Sequence, residues 1–462
     1  MRILLVVYDN NSYIHWFPQG PAYIAAVLLR EGCEVEIYNQ DMHHYPESHL
    51  LQYLDTEKFD VIGLSFIAGY YQYKKALKIS EAINRSRNRP FYIIGGHGPS
   101  PEPEHFLRKT GADAVVMGEG EVTIVELLEA LKTKKSLHQI KGIAFRDGNN
   151  VTINERRPLI EDVDGISFPA YEIFPMEYYR LLREPHCSKT DFVIPMLSGR
   201  GCTFKCNFCY RMDEGFRPRS SENIIEEIRL LKADYGITYV AFGDELLMSS
   251  RNRTIDLCND FIEHEVDIKW NCSGRLNYAR KDVLELMKKA GCVYINYGIE
   301  AMDDQILKNM NKALTTRQII KGIEATLEAG ISPGLNIIFG NIGESKETLR
   351  KGVDFLLKYD DGSEMRTIRP VTPYPGCDLY YYAIQNGLLK DCEDFYENKH
   401  MNSDLLAINF TDMTDGEFHQ SLLEANRALI ENYFKKKLIS YNLQMESLYI
   451  GLDSEFRGFR QL

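Results

Sequence analysis

Three cysteines, Cys202, Cys206 and Cys209, share one short segment, Ser198-Gly199-Arg200-Gly201-Cys202-Thr203-Phe204-Lys205-Cys206-Asn207-Phe208-Cys209-Tyr210. Thiolates are strong ligands for soft metal centres. A four-iron cluster usually takes four of them, so three at this tight spacing would leave one iron free to bind a substrate or cofactor. Gly199 and Gly201 would let the backbone wrap the cluster with its amides directed inward, which stabilises an anionic core and tunes its potential. The same thiolates could instead hold zinc, with His186, Cys187 or another residue as fourth ligand. The other seven of the ten cysteines (Cys33, Cys187, Cys258, Cys272, Cys292, Cys377, Cys392) are scattered and read mostly as small hydrophobes. A second group with chemical potential is rich in glycine: Ser65-Phe66, Gly95-Gly96-His97-Gly98 and Gly118-Glu119-Gly120-Glu121. Glycines there would let a large flat or phosphate-bearing ligand approach the backbone; the same segments could also be ordinary turns.

These segments need elements to hold them. In residues 1–140, apolar runs at 3–7, 35–38, 61–66, 92–96 and 114–118 read as buried parallel strands. Helical patterns lie between them, such as 21–31 and 72–84, where Ala76, Ile79 and Ile83 share a face. The fold class is α/β, beginning with a doubly wound, Rossmann-like parallel sheet, whose ligands bind at the carboxyl ends of the strands. The glycine-rich segments fall at those ends. In 141–190, two short runs flank Asp147-Gly148-Asn149-Asn150, a hairpin signal, before a proline-bearing linker through Phe168-Pro169-Ala170-Tyr171. From 191 to 385 strand candidates recur at 193–197, 238–242, 268–272, 293–297, 334–339 and 366–369, with helices between them. One helix stops at Gly291; another follows Thr315-Thr316 and stops at Gly330. Six such units predict a partial (β/α)6 barrel with its site at the strand carboxyl ends, where the cysteine segment follows the first strand. Residues 386–462 read as a mostly helical appendage.

The composition narrows the function classes. The chain has 462 residues, 44% of them hydrophobic and 26% charged, and a net charge of −12. That is a multidomain globular chain without the basic patch of a nucleic-acid binder. There is no apolar run long enough to span a membrane. The amino terminus makes a poor signal peptide, so a cytoplasmic location is expected.

The cysteine segment, with aromatic Phe208 before the last cysteine, resembles the signature of the radical S-adenosylmethionine superfamily. Further matches follow in order. Phe242-Gly243-Asp244-Glu245 follows the second barrel strand, Ser273 and Arg275 the third, and Gly298-Ile299-Glu300-Ala301 the fourth. Gly340-Asn341-Ile342-Gly343-Glu344 and Pro373-Tyr374-Pro375-Gly376-Cys377 follow the fifth and sixth. Ala301 stands where the family has serine, and Ile342 where it has proline. The resemblance implies a 4Fe–4S cluster on the three cysteines. It implies S-adenosylmethionine held by Phe208, Tyr210, Gly243, Asp244, Glu245, Ser273, Arg275, Glu300 and Gly340. The implied chemistry is reductive cleavage of S-adenosylmethionine to a 5′-deoxyadenosyl radical, with an electron from an external donor such as flavodoxin or ferredoxin.

Joined to such a barrel, the N-terminal sheet is similar to the cobalamin-binding domain of one branch of that superfamily. The resemblance implies cobalamin held by Ser65, Phe66, Tyr70, Gly95, Gly96, His97, Gly118, Glu119 and Gly120. The Asp-x-His-x-x-Gly motif is absent; Asp41-Met42-His43-His44 lacks its spacing and glycine. No histidine is therefore expected beneath the cobalt, whose lower face would look toward 68–71, with His97 hydrogen-bonding the corrin or the backbone. Methylthiotransferases, whose N-terminal domain carries three cysteines, are set aside because only Cys33 lies there. Methylation of an unactivated carbon is the expected activity, with cyclisation or rearrangement as the alternative and a non-catalytic sensor more remote. The aromatic segments 374–382 and 395–409 suggest an apolar or planar small-molecule substrate, or plain packing.

Overall fold

A computed structural model describes residues 1–11, 16–212 and 214–456. The N-terminal strands are β1 (Arg2–Val7), β2 (Glu34–Asn39), β3 (Val61–Ser65), β4 (Phe91–Gly95), β5 (Ala114–Val116), β6 (Ile143–Asp147) and β7 (Asn150–Ile153). They form one seven-stranded sheet in the order β2-β1-β3-β4-β5-β6-β7. The first five are parallel, as expected from apolar runs buried on both faces. In β1, Ile3 and Leu5 face one helical layer while Leu4 and Val6 face the other. The chain reverses direction of winding between β1 and β3, which opens a crevice at their carboxyl ends. The predicted hairpin forms, with Gly148 at φ 60° in its turn. It extends the sheet by pairing β6 antiparallel to β5, which gives seven strands where five were expected. The connection to the second sheet therefore starts after Ile153.

The second sheet contains β8 (Val193–Met196), β11 (Tyr239–Phe242), β12 (Lys269–Gly274), β13 (Cys292–Glu300), β14 (Ser332–Phe339) and β15 (Arg369–Pro370). Its order is β15-β14-β13-β12-β11-β8 and every pair is parallel. The two ends do not pair with each other, so the sheet is a partial barrel. Between β8 and β11 lies a separate antiparallel pair, β9 (Gly199–Cys202) with β10 (Gly215–Pro218). The last barrel strand starts three residues later than its pattern suggested and is only two residues long, because Pro370 has no N–H to extend the ladder.

Alternation along the strands decides what faces the lumen. Trp270, Cys272, Ile295, Tyr297, Leu335 and Ile337 point outward and are buried; Tyr297, for one, hydrogen-bonds Thr326 of helix Thr316–Glu328 at 3.0 Å. Ser273, Asn296, Gly298 and Asn336 face inward, where closed barrels of this type carry bulky branched residues. Asn336 is exposed and donates to Asn296 Oδ1 at 2.6 Å, so the lumen is open and polar. The helix caps follow their sequence signals. Thr315 forms a capping box, and Gly291 and Gly330 take φ 97° and 70°. At Gly291 a Cβ would stand 2.2 Å from the Ile268 carbonyl oxygen.

The C-terminal residues fasten the two sheets. Tyr396 stacks on Tyr73 of helix Tyr70–Arg85 with ring centroids 4.4 Å apart, and Lys74 pairs with Glu397 at 2.8 Å. Phe395, Tyr396 and Tyr380 are buried in the same apolar cluster as Leu4, Leu64 and Phe106. The long helix Asp415–Tyr449 packs Phe418, Leu422, Ala425 and Leu429 against the barrel. Among the described residues no helix is long and apolar enough to cross a membrane.

Candidate functional site

The cysteine segment leaves the carboxyl end of β8 and starts as strand rather than loop, with Cys202 as the last residue of β9. Gly199 lies so close to β10 that a Cβ there would stand 2.5 Å from the Phe216 ring. Asn207 stitches the following turn to three other segments. Its N–H donates to Met310 O at 3.0 Å, its carbonyl accepts from Leu379 N at 2.8 Å, and its amide accepts from Asn341 Nδ2 at 3.0 Å. Cys206 is buried, Cys202 half-buried and Cys209 exposed. Two cations stand behind the thiols. Arg275 lies 3.4 Å from the centroid of the Phe204 ring, with Nη1 3.8 Å from Cys206 Sγ. Lys312 lies 5.7 Å from the centroid of the Phe208 ring and pairs with Glu300 Oε1 at 2.7 Å, both side chains being buried. The hydrogen bond with Cys209 and the charges of Lys312 and Arg275 outweigh burial and hold the Cys206 thiol below its ordinary value. Such a setting favours the thiolate that binds metal. Burial, and then the Glu245 carboxylate, push the Cys202 thiol up.

The two alternative zinc ligands lie elsewhere. Cys187 accepts from Glu184 N at 3.3 Å and packs with Leu182, Val193 and Tyr239. The His186 ring is 6.4 Å from Tyr294. Both contacts are at the amino ends of the barrel strands, opposite the cysteine segment. Among the described residues no three His, Cys, Asp or Glu side chains are grouped as a single metal ion would need. A four-iron core binds each thiolate on a separate iron and needs no such convergence.

The other barrel residues separate into two sets. Glu245, Arg275, Glu300, Phe208 and Tyr210 surround the cysteines or the mouth above them. Glu300 takes φ 68°, at a register shift in β13 that folds its carboxylate back over Gly298. Asp244 lies at the mouth, but its buried carboxylate accepts from Ser198 N at 2.6 Å and from Ser198 Oγ, and burial raises its pKa. Gly340 faces Phe418, 2.7 Å from where its Cβ would be, and its N–H donates to Glu344 at 2.6 Å. Asp244 and Gly340 thus brace the loops, while Ser273 faces the lumen. Lys312 was not foreseen. A lone lysine between two helices has no periodic signature; only Asn311, which tolerates the left-handed backbone it adopts here at φ 54°, marks the turn.

The carboxyl ends of the N-terminal sheet face this mouth across a cavity of about 830 Å³. Ser65, Phe66, Gly95, Gly96, His97, Gly118, Glu119 and Gly120 line one side; Gly199, Gly201, Gly243 and Glu245 line the other. Gly96 has φ 95°, with a Cβ position 2.7 Å from Phe66 O, so no other residue fits without displacing backbone. Gly118 has φ 80° and open space where a Cβ would be, the kind of bare backbone a flat ligand can approach. His97 meets Tyr210 edge-on at 6.2 Å, and burial lowers its pKa. Tyr70 does not line the cavity; its ring contacts His400 at 6.3 Å. Of the loop after β3 the cavity reaches Ile67, not residues 68–71. Glu119 is already paired, with Arg200 and Arg217 of the cysteine hairpin, each at 2.9 Å. Burial alone would raise its pKa, but hydrogen bonds from Arg217, Ile160 N–H and Arg200 hold it below the ordinary value.

Family comparison agrees with this two-part site. The Radical SAM superfamily model matches residues 196–356, and the B12 binding domain model matches residues 6–128. An uncharacterized methyltransferase of Pyrococcus horikoshii is 32% identical over 400 residues, 84% of either chain. This chain belongs to the cobalamin-binding branch of the radical SAM superfamily. The anaerobic magnesium-protoporphyrin IX monomethyl ester cyclase of Rubrivivax gelatinosus is 27% identical over 397 residues, 82% of this chain and 69% of the relative. The cobalamin-dependent S-adenosylmethionine radical enzyme OxsB has the same fold, with a TM-score of 0.66 at 20% identity. That match covers 84% of this chain, which spans just over half, 55%, of OxsB. The cofactors of this radical SAM branch are a 4Fe–4S cluster, S-adenosylmethionine and cobalamin. The thiol set suits the cluster, and the bare glycine cradle suits the corrin. The aromatic segments 374–382 and 395–409 serve mainly as packing: Phe395, Tyr396 and Tyr380 are fully buried, and Tyr374 bonds Ser403 at 3.0 Å.

Proposed function

We propose that this chain methylates an unactivated carbon of a small-molecule substrate. The supporting observation is the single cavity in which the glycine-rich strand ends of the N-terminal sheet face the cysteine hairpin and Glu245. When bound there, cluster and S-adenosylmethionine supply a radical that removes hydrogen, and cobalamin supplies a methyl carrier.

In this reading Cys202, Cys206 and Cys209 ligate the cluster. Glu245, Arg275, Glu300 and Lys312 would orient S-adenosylmethionine, with the two cations facing its carboxylate and the two carboxylates its amino and ribose groups. Gly95, Gly96, His97, Gly118 and Gly120 would carry the corrin. The closed contacts of Arg200 and Arg217 with Glu119 would exclude water from one wall of the cavity. The substrate would enter the open lumen lined by Ser273, Asn296 and Asn336.

A second reading, cyclisation without methyl transfer, is favoured by the likeness to the magnesium-protoporphyrin cyclase. Anaerobic incubation of the reconstituted protein with cobalamin, S-adenosylmethionine and a strong reductant separates the two. Methylation predicts S-adenosylhomocysteine in proportion to bound cobalamin, even before a substrate is known. Deoxyadenosine without S-adenosylhomocysteine supports cyclisation, and zinc without iron in the purified protein would refute both.

A further inference from the structure

The helix Asp415–Tyr449 outruns the barrel that it packs on. Its buried face, Phe418, Leu422, Ala425 and Leu429, lies in its first half. There Asn426 holds both polar backbone atoms of Ile368, accepting from its N–H at 2.7 Å and donating to its carbonyl at 3.0 Å. Farther along, Asn432 and Lys436 reach Asp360 Oδ2 at 3.1 and 3.2 Å. Beyond Lys436 the helix continues to Tyr449 as an overhang.

The overhang carries an apolar seam. Phe434, Leu438, Tyr441 and Met445 are exposed and Leu448 is half-buried. None of the five belongs to an apolar cluster among the described residues. Their spacing alternates between four and three, which keeps them on one narrow stripe and matches the repeat by which helices pair with one another. Lys435 and Lys437 border the start of the seam, at the positions where paired helices exchange charge. Exposed Ile439 and Leu443 continue the barrel-facing row instead, and Glu446 breaks that row at its next position. Isolated helices shorter than about 12–15 residues are marginal in water, so the overhanging turns gain stability from a partner.

Charge selects the partner. The base of the overhang is basic, with Lys435, Lys436 and Lys437 in a row. From Leu438 to Glu455 there is no lysine or arginine, and the charges are Glu446, Asp453 and Glu455. Helices that lie on an anionic lipid surface carry cations along the whole polar face, which this segment lacks. A helix with a basic base, an acidic tip and an apolar seam is complementary to itself turned end for end. We propose that two copies of this chain pair through the overhang, seam to seam and antiparallel. Parallel pairing would set the lysines of both copies side by side. Pairing needs neither the cofactors nor the reaction, but it bears on the barrel: the same helix carries Asn426, which holds the chain just before β15, and Phe418, which packs on Gly340.

Sedimentation velocity of the full reconstituted chain, run from about 1 to 100 μM, should show a species of twice the single-chain mass that grows with concentration. Leu438→Glu combined with Met445→Glu should raise the dissociation constant about a hundredfold or more, since each copy then brings two charges into the seam. Iron content and cobalamin binding of that variant should be unchanged, which reports that it is folded. Leu423→Glu, at an exposed position before the seam, should leave the dimer intact. Lys435→Glu should weaken it about fivefold, and adding Glu446→Lys should restore it. A gain in affinity from Lys435→Glu would overturn the antiparallel order. Persistence of the dimer in Leu438→Glu with Met445→Glu would overturn the seam. A single-chain mass at every concentration would overturn the pairing altogether, and co-sedimentation of that single chain with phosphatidylserine vesicles would assign the overhang to a lipid surface instead.

Discussion

Arg200 joins the N-terminal sheet to the hairpin that ends in Cys202, and its removal should be costly. Its guanidinium lies between Glu119 at 2.9 Å and Glu121 at 2.5 Å. The arginine side chain is 15% exposed and the two carboxylates 6% and 9%. Glu119 keeps a second partner in Arg217, but Arg200→Met leaves the buried Glu121 carboxylate without the guanidinium that faces it. Breaking a buried pair by deleting one member costs about 3–5 kcal/mol, chiefly because the surviving charge is stranded. The control is Arg251→Met, whose partner Asp282 and itself are both 46% exposed. Exposed pairs contribute about 0–1 kcal/mol. Urea denaturation followed by circular dichroism at neutral pH should therefore show a large fall for the first variant and a small one for the second. Adding Glu121→Gln to Arg200→Met should restore part of the loss, with a coupling of about 1–3 kcal/mol. The sign with pH follows from Glu119. Its folded pKa is depressed, so its contribution is present above the ordinary value of 4.5 and is lost as pH falls below it. If Arg200→Met costs no more than Arg251→Met, the clasp does not hold the two parts together.

Three further outcomes are expected. Cys206→Ala should leave the anaerobically reconstituted protein with little bound iron, whereas Cys33→Ala should retain it, as metal analysis and electron paramagnetic resonance would show. Lys312→Met should weaken S-adenosylmethionine binding at least about tenfold, because Glu300 is left buried without its cation, while cobalamin binding measured by dialysis stays unchanged. Glu344 is buried, which raises its pKa to about 8, so the folded state holds a proton that the unfolded state loses above about 4.5. Stability should fall as pH rises across that interval, and Glu344→Gln, which still accepts from Gly340 and Asn341 N–H, should flatten the slope in thermal melts.

The local signals in the chain were enough to locate the cysteines, the strands and most helix ends. Strand positions followed from apolar runs, because a parallel strand buried on both faces has few alternatives. The ends at Gly291 and Gly330 followed from the low cost of left-handed backbone at glycine. The cysteine spacing limited the metal chemistry to iron–sulfur or zinc. What spacing could not decide was which distant residues face those thiols. Lys312 lies more than a hundred residues from Cys206, and Arg200 and Glu119 are separated by 81 in sequence. Their pairing depends on how two sheets are set against each other, which no local periodicity encodes. Likewise Glu119, Asp244 and Gly340 carried plausible motif positions, yet only packing revealed that they brace backbone and loops. The sequence by itself determined the elements and the kind of metal centre open to it. The tertiary structure decided which charges neutralise one another, and that the sheet ends and the barrel mouth enclose one cavity, because burial and long-range contacts exist only once the chain has folded.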